Sequence, residues 1–524
     1  MPGIVLATIN AKWIHPSLAL RLLKANIGSG AAAGSRAADG TVSDCEILEF
    51  ALRQPLEEKV EPILAARPRI LGLSVSVWNH KASLELLRAL DTVWRPDGRP
   101  YIIPLSTRPE ETYKKWAENQ EAVQKPIVVL GGPEISRLPE EAEIFRYADY
   151  VIRFEGEESF SSLCNEILSG SLPSSGKKTF DGSAVFINRN ETRADLSKIT
   201  SAYHLYTDDD LQRKLVYVEA SRGCPFSCEF CQGGMQPVRE FPLEPFLDAM
   251  ADLIERGGRS FKFLDRSFNL NIDRAKKIME FFLDRIRAAG TGNTAKDRPL
   301  CVHFEMVPFH ITSELRELIR RFPPGSLRLE LGIQTFNRES ASLIQRPGGP
   351  EEALETLEFL RRETSAIVHA DLIAGLPAED LSSFGAGFDR LWLAMSGKGI
   401  SGPPAEVPFE IQLGILKGLP GTPIIRHNET HRMKYSVEPP YEVIETGALS
   451  AAELARIKNF ARCWELTVNR NPFPDLLSRL FPPGENVFDR FMIFADSLLE
   501  RFGRNWGLDR KDLRAYCEEK AGGK

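Results

Sequence analysis

The chain has 524 residues, 43% of them hydrophobic and 26% charged, with a formal net charge of −6. That length asks for two or three domains rather than one, and the acidic balance argues against a surface that coats nucleic acid. No apolar run reaches the roughly 18–20 residues that span a bilayer, and the start (Met1-Pro2-Gly3-Ile4-Val5) enters a strand pattern with no basic region ahead of it, unlike a signal peptide.

Short apolar runs alternate with amphipathic stretches over the first 170 residues. Strands are expected over 4–8, 45–50, 70–77, 127–130 and 150–154. Helices are expected over 17–27, 56–66 and 83–94, with a last one running to Leu168. Repeated βα units predict an α/β domain, residues 1–170, with a doubly wound, flavodoxin- or Rossmann-like parallel sheet. Ligands of such sheets sit beyond the carboxyl ends of the strands. The candidates there are Asn10 and His15 after the first strand, and Trp78 and Asn79 after the third. Gly131, Gly132 and Glu134 follow the fourth, and Glu155 and Gly156 the fifth. A glycine pair lets backbone approach a large ligand, whereas the absence of G-x-G-x-x-G after the first strand disfavours a dinucleotide. His15 reads first as a polar loop residue and only second as a metal ligand. A sheet that binds nothing, or serves only for docking, is the plain alternative. Residues 28–39 are low-complexity and 95–126 lengthen one connection; neither is assigned a function. Residues 171–209 read as a linker, with a small hairpin near 184–188, and Asp208-Asp209-Asp210 as a solvated turn.

A second βα series begins at Leu215, and its first loop holds three of the eight cysteines, Cys224, Cys228 and Cys231, spaced C-x3-C-x2-C. Thiolates are soft ligands that suit iron–sulfur clusters or zinc. A structural zinc site normally closes with four protein ligands. Here no fourth cysteine or histidine is near, which favours a cluster with one open iron. Cys45, Cys164, Cys301, Cys463 and Cys517 are scattered singly and read as small buried hydrophobes in a reducing compartment, the cytoplasm.

Further strands are expected over 261–265, 302–306, 327–334, 367–373 and 410–416. Six repeats predict a partial (β/α)6 barrel over residues 210–425, with its chemistry at the C-terminal mouth of the strands. Asp265, Glu305, Glu330, Gln334, Asp371 and Gln412 lie on those strands or at their ends. Such groups face the lumen or mouth, or link neighbouring strands by hydrogen bonds. Both readings stand for Glu305 and Gln412, while Glu330 and Gln334 are the better site candidates. Residues 426–524 read as a helical C-terminal extension, with helices over 450–468 and 487–502 and a capping box at Ser450. Its aromatic residues, Tyr435, Tyr441, Trp464 and Phe473, either shape a pocket over the barrel mouth or form core.

The cysteine loop, with Phe230 just before its last cysteine, resembles the cluster loop of the radical S-adenosylmethionine (radical SAM) superfamily. The resemblance extends over about residues 210–425. Leu-Gly-Ile-Gln-Thr-Phe, 331–336, is similar to the family's fourth-strand segment near the ribose and carboxylate of S-adenosylmethionine (AdoMet). Asp-Leu-Ile-Ala-Gly-Leu-Pro, 371–377, resembles the fifth-strand segment whose backbone flanks the adenine. Leu264-Asp265-Arg266-Ser267 stands where the family usually carries Gly-Gly-Glu, which holds the AdoMet amino group. Residues 3–170 look like the cobalamin-binding domain found upstream of many such enzymes, with Gly-Gly-Pro-Glu and Glu-Gly-Glu-Glu at the strand ends. The cobalt-ligating D-x-H-x-x-G signature is absent, which implies no histidine on the cobalt. Residues 426–524 look like the helical extension of an uncharacterised cobalamin-type subfamily.

The resemblance implies a 4Fe-4S cluster on Cys224, Cys228 and Cys231, with Phe230 against the adenine. It gives Asp265, Arg266, Glu305, Glu330, Gln334, Asp371 and Gln412 to AdoMet or substrate, and the loop candidates of the first domain to cobalamin. It further implies reductive cleavage of AdoMet to methionine and a 5′-deoxyadenosyl radical, then methylation of an unactivated carbon. Rearrangement or cyclisation without methyl transfer, or an iron–sulfur binding protein without turnover, are the alternatives. The implied partners are a flavodoxin- or ferredoxin-type electron donor and an unidentified substrate, with no membrane. Nucleic acid stays open as a substrate, since a modest basic patch can hold a tRNA.

Overall fold

The computed structural model describes residues 2–27, 45–94, 125–171, 184–187, 193–289, 298–397, 409–473, 475–476, 480 and 486–522. The low-complexity stretch 28–39, residues 95–124 of the long connection and residues 172–178 lie outside them. The backbone groups into two units, Met1–Tyr217 with Glu244–Gly258, and Val218–Leu243 with Arg259–Lys524.

The first unit opens β1 (Ile4–Asn10), α1 (Leu18–Asn26), β2 (Cys45–Ala51), α2 (Glu57–Ala66), β3 (Ile70–Ser74) and α3 (His80–Trp94). It continues β4 (Ile127–Gly131), β5 (Tyr150–Ile152), α4 (Glu157–Leu168) and β6 (Val185–Ile187). The strands form one parallel sheet in the order β2-β1-β3-β4-β5-β6. The order reverses between β1 and β3, so right-handed crossovers place helices on both faces. β1 shows the consequence residue by residue. Val5, Ala7 and Ile9 pack with Val60 and Ile63 of α2 and Leu86 and Leu90 of α3. Ile4 and Leu6 pack with Leu20 of α1 and Phe160 and Leu163 of α4.

Two expectations for the stretch 171–209 and its neighbour need correction. Among the described residues, 185–187 pair not in a hairpin but in parallel with β5 as the sixth strand, because Val185 and Ile187 extend an apolar face that β5 already presents. The three aspartates are not a solvated turn. They open α5 (Asp208–Arg213), capped by Thr207, and Asp210 is only 5% exposed. Its carboxylate meets Arg21 at 2.9 Å and Lys214 at 2.8 Å, and Arg21 also meets Glu49 at 3.1 Å. Burial alone would raise the Asp210 pKa, but Lys214 and Arg21 hold it below the ordinary range. Asp210→Ala leaves the 4%-exposed Arg21 short of a partner and is expected to cost about 3 kcal/mol, read as a lower denaturant midpoint for the first unit.

β7 (Val216–Val218) precedes the cysteine loop, which β8 (Ser221–Arg222) and β9 (Arg239–Glu240) flank as a short antiparallel ladder. Then follow α6 (Leu243–Glu255), β10 (Ser260–Phe263), α7 (Ile272–Ala289), β11 (Cys301–Met306), α8 (Ser313–Arg320), β12 (Leu327–Gln334) and α9 (Arg338–Leu343). The series closes with α10 (Pro350–Glu363), β13 (Ile367–Ala374), α11 (Leu381–Ser396) and β14 (Phe409–Ile415). The sheet order is β14-β13-β12-β11-β10-β7, parallel from β10 to β14. Every strand pairs with its neighbour in sequence, so the order never reverses. Crossovers of one hand then put all helices on one face and leave the other to curl around a lumen.

The burial pattern follows. Phe261 and Phe263, Val302 and Phe304, and Leu327, Leu329 and Leu331 are buried. The polar residues between them, Lys262, His303, Glu305 and Glu330, keep partial access on the opposite face.

Beyond the barrel come β15 (Lys434–Tyr435), β16 (Val443–Glu445), α12 (Ala451–Trp464), α13 (Val487–Phe502) and α14 (Arg510–Gly522). Ser450 and Glu453 make the expected capping box. Trp464 is not a pocket residue: its ring packs at 4.8 Å on Phe388 and 5.3 Å on Trp392, both from α11, and at 4.8 Å on Phe491. Phe473 is likewise buried. Asn469 holds Ile411 of the sheet's last strand through its carbonyl oxygen at 3.2 Å and its amide at 3.0 Å. The extension therefore covers an otherwise unpaired sheet edge. Among the described residues no helix is long and apolar enough to cross a membrane.

Candidate functional site

The cysteine loop is shaped by local geometry before any ligand is considered. Gly223 has φ +100°, and a Cβ there would lie 2.3 Å from the Pro237 carbonyl oxygen, so only glycine fits. Cys231 N–H donates to the Cys228 carbonyl at 3.0 Å, turning the chain across Phe230, which is half-buried. All three cysteines are free thiols, Cys228 buried and the others half-buried. Each sulfur has a polar neighbour. Ser267 Oγ lies 3.3 Å from Cys224, the Gly233 amide donates to Cys231 at 3.3 Å, and Arg346 Nη1 donates to Cys228 at 3.5 Å. Burial pushes the Cys228 thiol up, and the Arg346 guanidinium works against that. Among the described residues no three His, Cys, Asp or Glu side chains converge on a single metal ion.

Two buried carboxylates hold the loop. Asp265, 1% exposed, accepts from the Ala220 amide at 3.0 Å and the Ser221 hydroxyl at 2.6 Å. Each of its oxygens accepts from the chain leading into the cysteines, so it braces the loop from beneath. Arg266 beside it is exposed, with its guanidinium against Gly233. Glu229, between Cys228 and Phe230, is 1% exposed. It accepts from Gln345 at 2.8 Å, pairs with His427 Nε2 at 2.9 Å and meets Arg426. Its backbone is pinned as well, N–H to Ile344 and C=O from Ile424, each at 3.0 Å. The segments after β12 and after β14 together grip the loop.

The lumen face carries the other candidates. Glu330 meets Lys262 at 3.0 Å and His303 at 3.2 Å; His303 stacks on His369, which meets Glu410 at 3.2 Å. Asp371 and Gln412 are register neighbours on β13 and β14, and Gln412 is exposed on the last strand. Gln334 ends β12 at a register shift with φ +72°, and its Oε1 is buried without a partner, as is Asp371 Oδ1.

Burial and then the Glu330 charge push Glu305 up to about 7, and burial with Glu330 and Glu305 does the same to Asp371, up to about 7. Burial would raise Glu330 too, but His303 and Lys262 hold it at about 2. At neutral pH the lumen thus offers one fixed carboxylate beside two carboxyls that can donate or accept.

The sign of the pH dependence follows. From about pH 4 to about pH 7 the folded chain keeps protons on Glu305 and Asp371 that the unfolded chain has released, so stability falls as pH rises across that window. Glu330 acts oppositely, losing its contribution as pH falls towards 2. Asp371→Asn is expected to flatten the decline by on the order of 3 kcal/mol, measured as denaturant midpoints across pH 4 to 8.

In the first unit several expected ligand residues are occupied locally. Asn79 is 1% exposed; it accepts from the Ser76 amide and donates to the Ile9 carbonyl, both at 2.8 Å, closing its own loop onto β1. Asn10 reaches Glu49 at 3.4 Å, and Glu155 accepts from the Ala194 amide at 2.7 Å. His15 Nδ1 lies 2.8 Å from the Tyr217 hydroxyl. Gly131 ends β4 and Gly156 caps α4. Gly132, φ +107°, brings backbone so close that a Cβ would sit 2.4 Å from the Val75 oxygen. Trp78 is 55% exposed. Glu134, buried to 1%, meets His80 Nδ1 at 2.9 Å.

Sequence reasoning missed Lys262, His303 and His369, although they share the alternation that placed Glu305 and Glu330. It also missed Ser267, Gln345, Arg346, Arg426, His427 and His80, which only the fold brings to their partners.

Residues 218–389 match the Radical SAM superfamily, and residues 429–511 match a protein family of unknown function, DUF4080. An uncharacterized methyltransferase of Pyrococcus horikoshii is 32% identical over 170 residues, 29% of this chain and 36% of that protein. The 2-(S-pantetheinyl)-carbapenam-3-carboxylate methyltransferase of Streptantibioticus cattleyicolor is 22% identical over 62% of this chain and 45% of its own. The chain thus spans less than half the length of these curated relatives. Among solved structures, the cobalamin-dependent radical enzyme OxsB aligns over 99% of this chain and 80% of its own, with TM-score 0.60 and 13% identity. The radical SAM methyltransferase TsrM of Kitasatospora setae aligns over 83% and 78%, with TM-score 0.56 and 16% identity. Residues 218–389 therefore carry the match to the Radical SAM superfamily, within a chain whose fold is that of OxsB and TsrM.

Proposed function

We propose that this chain is a cobalamin-dependent radical SAM enzyme that methylates an unactivated carbon. The observation that carries the reading is the cysteine loop, in which three free thiols each have a hydrogen-bonding neighbour, on a loop braced from beneath by Asp265 and Glu229. Three thiolates with donors on their sulfurs suit a 4Fe-4S cluster, whose potential such hydrogen bonds tune. The orphaned acceptors Gln334 Oε1 and Asp371 Oδ1 suit the hydroxyl and ammonium donors of AdoMet. The close backbone at Gly132 and the exposed Trp78 suit a broad, flat ligand such as cobalamin.

When bound, the cluster with AdoMet supplies hydrogen-atom abstraction and cobalamin supplies a transferable methyl group. Cys224, Cys228 and Cys231 hold the cluster, Arg346 steadies the Cys228 sulfur, and Gln334 and Asp371 orient AdoMet. Glu305, Glu330 and Lys262 face the substrate from the lumen wall. The working division is residues 1–170 for cobalamin, 210–425 for the cluster and AdoMet, and the remainder for support. An external flavodoxin- or ferredoxin-type protein delivers the electron, and the cytoplasm is the setting.

AdoMet carrying a trideuterated methyl group, incubated with the reduced holoenzyme and extracts as a substrate source, tests the reaction. A product heavier by the labelled methyl supports methylation. A product changed in skeleton but free of label replaces it with rearrangement.

A further inference from the structure

The last two helices meet in a turn whose charge runs against that of the chain. Residues 501–511 read Arg-Phe-Gly-Arg-Asn-Trp-Gly-Leu-Asp-Arg-Lys, four basic residues and one acidic, a net of +3 in a chain of net charge −6. α13 ends at Phe502 and α14 begins at Arg510, so the stretch closes one helix, crosses the turn and opens the next. The turn is fixed to α12 through Asn505. Its side-chain amide donates to Asn459 Oδ1 at 2.9 Å, and its carbonyl oxygen accepts from Arg462 Nε at 3.3 Å. Asp509, the one acid, is used locally, where its carboxylate accepts from the Lys511 amide at 2.8 Å.

Trp506, next to the pinned Asn505, is 62% exposed. A single exposed aromatic needs no explanation; this one stands among cations that no acid answers. Arg504 lies 5.6 Å from its ring centroid, within cation–π range. Arg501, Arg504 and Lys511 are exposed and meet no carboxylate among the described residues. The remaining cations at this end are engaged, since Arg510 donates to the Pro472 carbonyl at 3.2 Å and Arg514 pairs with Asp475 and Glu518.

Uncommitted cations around a rigid, open ring are the parts that grip a single strand: the ring stacks on a base of any sequence and the cations take phosphates. An acidic protein would answer the charge as well. A stable protein interface, however, covers about 800 Å² on each side around an apolar centre, and Trp506 is the one large apolar side chain exposed over residues 501–511. We propose that the turn between α13 and α14 is a docking platform for single-stranded nucleic acid, with a base stacked on Trp506 and phosphates on Arg501, Arg504 and Lys511. The platform stands apart from the radical chemistry, so its failure leaves the methylation reading untouched.

Fluorescence anisotropy of a labelled single-stranded RNA of about 12 nucleotides, titrated with the full chain, tests it. The expected result is saturable binding at about 50 mM salt, with a log–log salt slope of about −2, three phosphates at about 0.7 each. Trp506→Ala weakens binding roughly 5- to 100-fold, while Trp506→Phe, which keeps a face for stacking, retains most of it. The triple variant Arg501→Gln, Arg504→Gln, Lys511→Gln brings the slope close to zero. Single-stranded DNA bound in the same way supports the platform equally. No binding at low salt, or binding that ignores both Trp506→Ala and the triple variant, overturns it. So does a duplex of the same length that binds as tightly, because its bases are not free to stack. Poly-glutamate that displaces the strand as well per charge also overturns it, in favour of an acidic protein partner. The duplex and poly-glutamate arms use the unaltered chain, so they do not depend on how the variants fold.

Discussion

Cys224→Ala, Cys228→Ala and Cys231→Ala are each expected to abolish formation of an intact cluster and to lower AdoMet cleavage by roughly 10³-fold or more, about 4 kcal/mol of barrier. Two thiolates leave two irons of a cube without protein ligands, and no other cysteine or histidine contacts the loop's sulfurs among the described residues. The fold should tolerate Cys224→Ala and Cys231→Ala, which are half-buried in a loop braced elsewhere, with stability changed by less than about 1 kcal/mol. Iron and sulfide per chain, measured beside 5′-deoxyadenosine and the unfolding midpoint, separate loss of cluster from loss of fold. A variant that keeps a full cluster and full cleavage would contradict the ligand set.

Glu229→Ala is expected to have the second-largest effect. Its carboxylate satisfies Gln345 and His427 and meets Arg426, and two backbone bonds pin the same residue. Removing it leaves His427, 6% exposed, with only the Leu343 carbonyl oxygen at 3.2 Å from its Nε2, at a cost of roughly 3 kcal/mol. Arg426 is 56% exposed and adds little, because water screens it. The residue lies between two cluster cysteines, so the loss should also lower cluster content after identical reconstitution. A double-mutant cycle with His427→Gln should show a coupling of about 1–2 kcal/mol. Unchanged stability together with full iron content in Glu229→Ala would remove Glu229 from the loop's support.

The order of elements was largely legible because alternation is explicit in this sequence. β12 starts and ends where the pattern Leu327, Leu329, Leu331 places it, and α13 spans the stretch its helical period marks. β6 was not legible, because three residues after a long polar stretch pair as well in a hairpin as in a parallel sheet, and only β5 decides. The triple aspartate was misread for a related reason: its charge suggests solvent, and Arg21, far away in the chain, is what lets Asp210 be buried. The cysteines carry their chemistry in their spacing. The residues that hold them do not, since Glu229, Gln345, Arg346 and His427 come together only when β12 and the segment after β14 are folded around the loop. Asp265 was singled out by its place at the end of a barrel strand, but its bonds to the Ala220 amide and the Ser221 hydroxyl appear only in the fold.

The most direct test of the central claim is anaerobic reconstitution of the full chain with iron and sulfide, reduction, and incubation with AdoMet. The account predicts formation of 5′-deoxyadenosine and methionine that requires the reduced cluster and is absent from Cys228→Ala. A fully loaded, reduced cluster that leaves AdoMet intact would contradict it.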